Sequence, residues 1–412
     1  MAQTKARHES TPVPLPRSKR WISTQVRTWL RSDSLREAGR VWVLSRAVFL
    51  LLTYFGIILF NSKLHDQAHP SFLHQLLPSW HRWDAVWYTD IARRGYDWHK
   101  GITSPAAFFP LFPLLVRSAV EVTHRSYDLC ALAVSNLSFL AALIYLWRLT
   151  RDELDRESAG RAILYVAVFP TALFFFAGYT ESLFLWLTVA CFYHLRRGDW
   201  VVAGVFGALA SATRVTGVLL ALPLAYEYFA AHGFWWRRID WRVIGIVLVP
   251  VGILSFMLYL YAVTGDALAF THSQVGWQKV FTLRLWAGIL ESVRQIVEVQ
   301  PQASFFQAHN VLNFGLGLLF LVWSVYAARR LPRAYGVYLL AFWLVTLVSP
   351  ALAGGYPVPL ISLDRYILAL FPVFMYAGWM GRQRSFHDAY LLLSTCLLAV
   401  LTVQFVNNGW VV

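Results

Sequence analysis

Long apolar runs constrain this chain more than any other feature. Several runs are about 18–20 residues long with few charges, long enough for a helix to cross a hydrocarbon core of ~30 Å. Hydrophobic residues make up 58% of the 412 residues and charged residues 14%, against ~45–50% and ~25% in soluble domains. The runs do not alternate in polarity with a period of two, as the strands of a membrane barrel do. The sequence therefore predicts an all-α polytopic membrane protein.

The basic residues indicate how this protein is oriented. Arg and Lys gather before the first apolar run and after alternate runs, and such residues stay on the cytosolic side of a membrane. Topology therefore explains the net charge of +14 better than nucleic-acid binding does. We expect residues 1–40 to form a basic, disordered cytosolic tail. Residues 41–412 are then a single transmembrane domain.

The apolar runs, taken in order, predict about eleven spans, with the C-terminus outside. Residues 201–230 would be about 45 Å long as one helix, too long for one span and too short for two full ones. Their basic flanks favour a hairpin of two short helices with its apex at 213–217. The single spans are 41–60, 129–149, 162–178, 182–195, 243–263, 309–328, 335–352, 366–380 and 389–407. Residues 61–128 and 264–308 form two large extracytoplasmic loops, and 108–120 is predicted to be a helix in the membrane interface.

A carboxylate lies among aromatic residues in the first of these loops. If the segment is helical, Asp84, Tyr88 and Ile91 share one face. Asp90 lies about 120° away and precedes Arg94 by four residues, a spacing that suits a local ion pair. We therefore predict Asp84 as the active carboxylate and Asp90 as structural. A Trp/Tyr belt around a solvated acid would have the same composition, and the spacing alone leaves both interpretations open.

Other charges come to the same predicted side of the membrane. Glu181, Arg214, Asp364 and Arg365 all lie at or just inside apolar runs, where an ionisable residue costs ~2.5–3.5 kcal/mol and is a functional candidate. The planar donor groups of an arginine suit a lipid phosphate. Structural alternatives remain: Arg214 could pair with Glu181 or reach the interface, Glu181 could cap its helix, and Arg365 could anchor the topology.

Other common chemistries find no support in this sequence. It has no Walker-type glycine loop, no His-x-x-x-His zinc pair and no Gly-x-Ser-x-Gly turn, so we predict no metal and no cofactor. Three scattered cysteines inside apolar runs are best interpreted as small hydrophobic residues. In the second outer loop an ordinary polar segment is favoured over a sugar pocket for His272, Gln274, Trp277 and Lys279.

At these residues the chain resembles the PIG-V family of mannosyltransferases, which are polytopic enzymes of the GT-C class. The similar segments extend from about residue 40 to 380, and the Trp-Asp and Thr-Glu-Ser segments together are specific. The family-like segments are Arg82-Trp83-Asp84-Ala85, Ile91-Ala92 with Gly95-Tyr96, Phe108-Phe109-Pro110-Leu111-Phe112-Pro113, Phe169-Pro170, Tyr179-Thr180-Glu181-Ser182-Leu183-Phe184, Ala212-Thr213-Arg214 with Gly217, and Arg365-Tyr366 with Leu370-Phe371-Pro372.

The resemblance implies a GT-C type helical bundle whose reaction occurs on the extracytoplasmic face. The donor would be polyprenyl-phosphate-mannose, and the acceptor would be a hydroxyl of a glycolipid or lipid-linked molecule. Both substrates would enter the site from the membrane lipids. Asp84 would be the general base of a metal-independent, inverting displacement. The predicted catalytic residues are Asp84 and Glu181, and the predicted substrate-binding residues are Arg82, Trp83, Trp87, Tyr88, Arg214, Arg365 and Tyr366.

The chain departs from the family pattern at Val215 and Thr216, where members often have Ser-Asn, which weakens any side-chain role there. It is also shorter than eukaryotic members, which favours a bacterial origin and a plasma-membrane location. A transporter or flippase of lipid-linked sugars is the main alternative function, and a non-catalytic scaffold is another. Neither a convincing internal repeat nor mid-membrane charges, both typical of transporters, are found in the sequence.

Overall fold

A computed structural model describes residues 33–60, 72–96, 104–234, 239–299 and 304–411. Most of the predicted cytosolic tail and parts of both predicted outer loops lie outside these ranges. Within them the chain is helical and contains no named strand, only an isolated antiparallel bridge between Lys279 and Ala351. The predicted all-α class is confirmed. The α-helices are α1 (Asp33–Phe60), α2 (Phe72–Trp80), α3 (Asp84–Arg94), α4 (Leu111–Thr123), α5 (Tyr127–Glu153), α6 (Arg156–Ala167), α7 (Glu181–Arg196), α8 (Trp200–Ser211), α9 (Ala221–Ala231), α10 (Ile244–Leu248), α11 (Val251–Thr264), α12 (Ala269–His272), α13 (Ala287–Arg294), α14 (Phe305–Arg330), α15 (Arg333–Leu347), α16 (Leu363–Tyr366), α17 (Phe371–Met380) and α18 (Arg384–Val406).

Four helices in the described part of the chain are long and apolar enough to cross a membrane: α1, α5, α14 and α18. A fifth candidate is the pair Trp241–Leu248 and Val251–Thr264, which is bent by 49°. The break coincides with Pro250, whose ring and missing N–H interrupt a helix. Large apolar side chains such as Leu51, Leu137 and Leu258 point outward from these helices. The protein is an integral membrane protein, and the count of eleven spans stays a prediction.

Two predicted spans are broken in the structure. The predicted span 162–178 begins in α6, which ends at Ala167, and continues as a short 3₁₀ helix, Ala172–Phe175. The predicted span 366–380 consists of the end of α16, a 3₁₀ turn over Ile367–Ala369, and α17. Leu370 between them leaves the helical conformation. These breaks keep the residues before α7 and α17 out of continuous helices and free to shape a site.

The predicted break within 201–230 is confirmed. The chain leaves α8 after Ser211, takes an extended conformation at Arg214, and forms a 3₁₀ helix over Val215–Leu220 before α9. A Cβ atom on Gly217 would lie 2.3 Å from the carbonyl of Ala210. The returning segment therefore packs directly on the end of α8, and Arg214 occupies the turn.

The core surrounds α7, in which most side chains are buried. α5 and α8 pack against α7, and α6 packs against α17. A Cβ atom on Gly378 of α17 would lie 2.5 Å from the carbonyl oxygen of Ser158, so these two helices approach very closely. The predicted interfacial segment 108–120 corresponds to α4, which buries Phe112 and Val116 and exposes Leu114. Its helical form is confirmed, while its place in the interface remains a prediction.

Candidate active site

Two carboxylates and two arginines from four separate segments meet at one place. Asp84 is in the first turn of α3, and its Oδ2 accepts a hydrogen bond of 2.6 Å from Nη1 of Arg365. Glu181 is in the first turn of α7, and its Oε1 lies 2.8 Å from Nε of Arg365. Nη1 of Arg214 donates to the same Oε1 at 3.1 Å. Arg365 therefore bridges the two carboxylates, and Arg214 completes the cluster.

The local fold explains why both acids begin helices. The free N–H groups and the dipole of a helix favour negative charge in its first turn, and the chain turns sharply before each helix. Trp83, which precedes α3, has a φ of 52°, a strained conformation for a residue other than glycine. Tyr88 follows one helical turn after Asp84, and its hydroxyl lies 3.2 Å from Oγ1 of Thr180. This contact holds the start of α3 against the start of α7.

The two carboxylates differ in access to solvent. The side chain of Glu181 is 1% exposed and that of Asp84 is 18% exposed. A buried charge is tolerated only when it is paired and hydrogen-bonded, which the two arginines provide for Glu181. Asp84 is the carboxylate that an incoming molecule can reach. Among the described residues, no group of three His, Cys, Asp or Glu side chains is placed to hold a metal ion.

A third cation joins this cluster through Tyr366. Nζ of Lys279 donates a 2.5 Å hydrogen bond to Oη of Tyr366 and lies 4.7 Å from the centroid of its ring. The guanidinium carbons of Arg214 and Arg365 lie 5.4 and 5.9 Å from the same centroid. The face of an aromatic ring attracts cations, so the ring of Tyr366 is a common contact for Lys279, Arg214 and Arg365. Two acids and three bases give the cluster one surplus positive charge.

Lys279 reaches the cluster because its segment is attached to another loop. The N–H of Val280 donates to the carbonyl of Pro350 at 3.0 Å, and that of Thr282 to Val348 at 2.8 Å. The N–H of Ala353 donates to the carbonyl of Gln278 at 3.2 Å. These backbone bonds fix residues 278–282 against residues 348–353. Lys279 is therefore positioned by backbone hydrogen bonds. The pattern of side chains in the sequence does not reveal such pairing.

Aromatic side chains form one wall beside the charges. The rings of Trp87 and Phe108 are stacked with centroids 5.7 Å apart, and Trp277 meets both rings edge-on at 6.4 and 5.9 Å. Tyr88 packs against Phe108 at 5.1 Å. Binding sites for small molecules are commonly lined by aromatic groups around a few polar ones. The arrangement therefore has the composition of a ligand site.

Most of the predicted site residues come together in this structure. Those in the cluster or its aromatic wall are Asp84, Glu181, Arg214, Arg365, Tyr366, Tyr88 and Trp87. Arg82 does not join them: its Nε and Nη2 donate to the carbonyls of Ser79 and Val406 at 3.3 and 3.4 Å. Trp83 is exposed beside the cluster. Both residues lie in the turn before α3, where the backbone of Trp83 is strained.

Two other predictions are wrong. Asp90 and Arg94 are both exposed and form no ion pair with each other, since ordering two exposed side chains costs entropy that a surface pair barely repays. Trp277 and Lys279 are not parts of an ordinary polar loop, because they border the cluster. His272 and Gln274 do make only local contacts, with Asp266 and with the carbonyl of Phe270.

Comparison with known proteins shows which family this chain resembles. Residues 40–235, just under half of the chain, match the family model described as mannosyltransferase (PIG-V). The resemblance noted in the sequence is confirmed. Over residues 40–235 the chain is similar to the PIG-V mannosyltransferase family. This range contains Asp84, Glu181 and Arg214, whereas Lys279 and Arg365 lie beyond it.

Curated relatives of this chain carry related names. It is 33% identical over 155 residues to the GPI alpha-1,6-mannosyltransferase 2 of Mus musculus. This match covers 35% of this chain and 30% of the mouse protein. It is 24% identical over 330 residues to the GPI mannosyltransferase 2 of Yarrowia lipolytica. This match covers 72% of this chain and 86% of the Yarrowia lipolytica protein. The first match thus spans about a third of the mouse protein, and the second most of the yeast protein.

Two solved structures show a partial likeness to this chain. ArnT from Cupriavidus metallidurans, bound to undecaprenyl phosphate, has a TM-score of 0.46 and 15% identity over 88% of this chain and 70% of that one. The apo oligosaccharyltransferase of Archaeoglobus fulgidus has a TM-score of 0.42 and 13% identity over 92% of this chain and 56% of that one.

Proposed function

We propose that this protein transfers mannose from polyprenyl-phosphate-mannose to a hydroxyl of a glycolipid or lipid-linked acceptor, on the extracytoplasmic face. The observation that carries the proposal is the bridge that Arg365 forms between Asp84 and Glu181 in a membrane protein that resembles the PIG-V family. The cluster unites an accessible carboxylate with surplus positive charge. A base for the acceptor and a counter-charge for the leaving phosphate are what such a transfer needs.

Asp84 serves as the general base in this proposal. The acceptor oxygen attacks the anomeric carbon of mannose as its proton passes to the Asp84 carboxylate. The hydrogen bond from Arg365 orients that carboxylate. The bond between the anomeric carbon and the phosphate oxygen breaks, and polyprenyl phosphate leaves with the electron pair. The displacement inverts the anomeric centre, so a β-linked donor gives an α-mannoside.

The cations stabilise the charge that develops on the leaving phosphate. Arg365 and Arg214 are already partly neutralised by the carboxylates, whereas Lys279 bonds only to a tyrosine hydroxyl and faces no acidic partner among the described side chains. A phosphate oxygen beside Tyr366 would therefore meet Lys279 first. Charge-assisted hydrogen bonds to phosphate are about twice as strong as neutral ones. Lys279 joins the predicted Arg214 and Arg365 as a phosphate-binding residue.

Glu181 has a positioning role in this scheme. Its near-complete burial and its contacts with both arginines favour holding the guanidinium groups over direct contact with the acceptor. Removing one partner of a buried ion pair leaves an uncompensated charge. Glu181 therefore fixes Arg365 in the orientation that reaches Asp84.

Product analysis tests the proposed function. Purified protein in liposomes is incubated with polyprenyl-phosphate-[³H]mannose and a total lipid extract, and the lipids are separated. We expect tritium in a new glycolipid, released by α-mannosidase, together with an equal amount of free polyprenyl phosphate. Movement of intact donor across the bilayer without a new product would instead identify a flippase. An unchanged and immobile donor would indicate a scaffold.

A further inference from the structure

The helix α13 has the reverse of the polarity expected for a helix on a water-soluble surface. Its small and polar residues Gly288 and Ser292 are buried against the protein, as is Gln295 in the π-helical turn that follows. Its large apolar residues point away: Leu290 is 61% exposed and Val297, in the following turn, is 75% exposed. Helices in contact with water bury the apolar side and expose the polar one. The outward side of α13 is therefore suited to a non-aqueous environment.

α13 is held at one end of a candidate membrane span. Oγ of Ser292 donates to Oδ1 of Asn310 at 3.1 Å, and Nε2 of Gln307 donates to the carbonyl of Ile296 at 3.0 Å. Gln307 and Asn310 lie in the first two turns of α14, which begins at Phe305. The exposed Phe305 and Val311 of that helix lie in the same turns. The apolar side of α13 is thus level with the end of an apolar span.

A charged strip runs along one edge of α13 and of the π-helical turn Gln295–Val299 that follows it. Nη1 of Arg294 lies 3.5 Å from Oε2 of Glu291, and Nε of Arg294 lies 3.6 Å from Oε2 of Glu298. At 100° per residue, Glu291 projects about 100° and Arg294 about 40° from Leu290. The helix therefore has three sides: one against the protein, one apolar and one charged. This is the pattern of a helix that lies in the plane of a membrane interface.

We propose that α13 lies in the interface of the lipid bilayer, with Leu290 and Val297 in the acyl-chain boundary and the charged strip in water. The partner is bulk membrane lipid, and the proposal holds whether or not the protein transfers mannose. It refines the prediction that residues 264–308 form a large extracytoplasmic loop. It also leads to an expected depth for the site, because Lys279 is eight residues before α13. A helix held in the interface keeps this lysine near the level of lipid phosphates.

Depth measurements on the full-length protein in nanodiscs test this inference. Cysteine is placed at Leu290 or, as the matched control in the π-helical turn that follows α13, at Glu298. Cys130, Cys191 and Cys396 are first replaced by Ala or Ser. Each cysteine carries an NBD fluorophore. We expect blue-shifted emission at position 290 that is quenched by lipids with a shallow nitroxide, about 5–10 Å below the surface. Aqueous iodide should quench position 298 more strongly than position 290.

Equal quenching of both positions by iodide, with no effect of nitroxide lipid at 290, would overturn the proposal. So would a probe at 290 that neither quencher reaches, since it would indicate a protein partner over this side. Transferase activity of each labelled variant is measured in parallel. Loss of activity with an unchanged quenching pattern would bear on the proposed function and leave the membrane contact of α13 intact.

Discussion

Arg365 lies between two carboxylates from distant parts of the chain, and this position determines what a substitution there does. Arginine presents several fixed donors, whereas lysine offers one compact charge. Arg365→Lys should keep a cation but contact only one of Asp84 and Glu181 at a time. We expect reduced transfer with Arg365→Lys and a larger loss with Arg365→Ala, in which breaking a buried pair costs about 3–5 kcal/mol of folding free energy.

Activity and thermal unfolding measured on the same preparations separate the two effects. Arg117→Lys is the matched control, because Arg117 forms an exposed pair with Glu121 on α4, and exposed pairs contribute ~0–1 kcal/mol. Arg365→Lys with wild-type turnover would show that the bridge between the carboxylates is unnecessary.

Lys279 should affect the use of the donor more than folding. It makes its hydrogen bond to Tyr366 at the edge of the cluster, with no acidic partner near it among the described residues. Loss of a charge-assisted hydrogen bond is worth ~1.5–3 kcal/mol, or roughly 10- to 150-fold in affinity. We expect Lys279→Ala to raise the KM for polyprenyl-phosphate-mannose by such a factor. Arg284→Ala, an exposed cation in the same segment, should leave that KM unchanged.

At the residue scale the sequence predicted the charges but not all of their partners. Asp84, Glu181, Arg214 and Arg365 stand out because each is a charge beside an apolar run, which is rare unless it is functional. Lys279 follows no run and shows no helical periodicity. Its position depends on backbone bonds to residues 348–353, and side-chain pattern carries no information on such pairing.

Among the elements, α8 and its neighbours pack through glycines. A Cβ atom on Gly245 of α10 would lie 2.2 Å from the carbonyl oxygen of Trp200, and one on Gly252 of α11 would lie 2.0 Å from that of Ala208. Helices in membranes associate closely where small residues let the backbones approach. This contact supports the turn that carries Arg214. The packing of α8 on α10 and α11 therefore affects the site as well as stability.

A larger side chain at this contact should separate the helices. We expect Gly245→Leu to lower the free energy of unfolding by at least the ~1–3 kcal/mol typical of overpacking and to lower the Tm in detergent. Gly160→Leu on α6 is the control, since nothing lies within 4 Å of the Cβ position there. An unchanged Tm for Gly245→Leu would contradict the close approach of α8 and α10.

The elements also show where sequence patterns fail. Helices such as α5 and α14 were predicted to within a few residues at most ends, because a long apolar run has few alternatives in a membrane. The predicted spans 162–178 and 366–380 are divided because prolines and local turns override the apolar pattern. α13 was missed because its apolar residues lie on the side away from the protein and form no continuous run.

For the whole molecule, the orientation in the membrane is the main prediction to test. Val215 is exposed at the turn after Arg214, and the topology predicts that it lies outside. With the three native cysteines replaced, a cysteine at 215 in intact cells should react with an impermeant maleimide. A cysteine at Arg329, on the predicted cytosolic side, should react only after permeabilisation. The opposite pattern would place the charged cluster in the cytosol.

The fold class of the whole molecule follows from its composition, since blocks of apolar residues must be covered by lipid or by other helices. Its interior arrangement depends on local exceptions. Breaks after α6 and before α17 bring Glu181 and Arg365 together, and no periodic pattern specifies that meeting. The sequence thus allowed the set of charges to be anticipated, and the structure supplies their connection through Arg365.

The central claim is that Asp84 is the base for mannosyl transfer in this cluster, and its most direct test is the turnover of Asp84→Asn. Asp90→Asn is the matched control, on the same helix, exposed and outside the cluster. Both variants are reconstituted in equal amounts and supplied with saturating polyprenyl-phosphate-mannose and acceptor. Losing positioned proton transfer reduces rates by about 10²–10⁴-fold, so we expect that loss with Asp84→Asn and wild-type turnover with Asp90→Asn. Wild-type turnover by a folded Asp84→Asn protein would contradict the account.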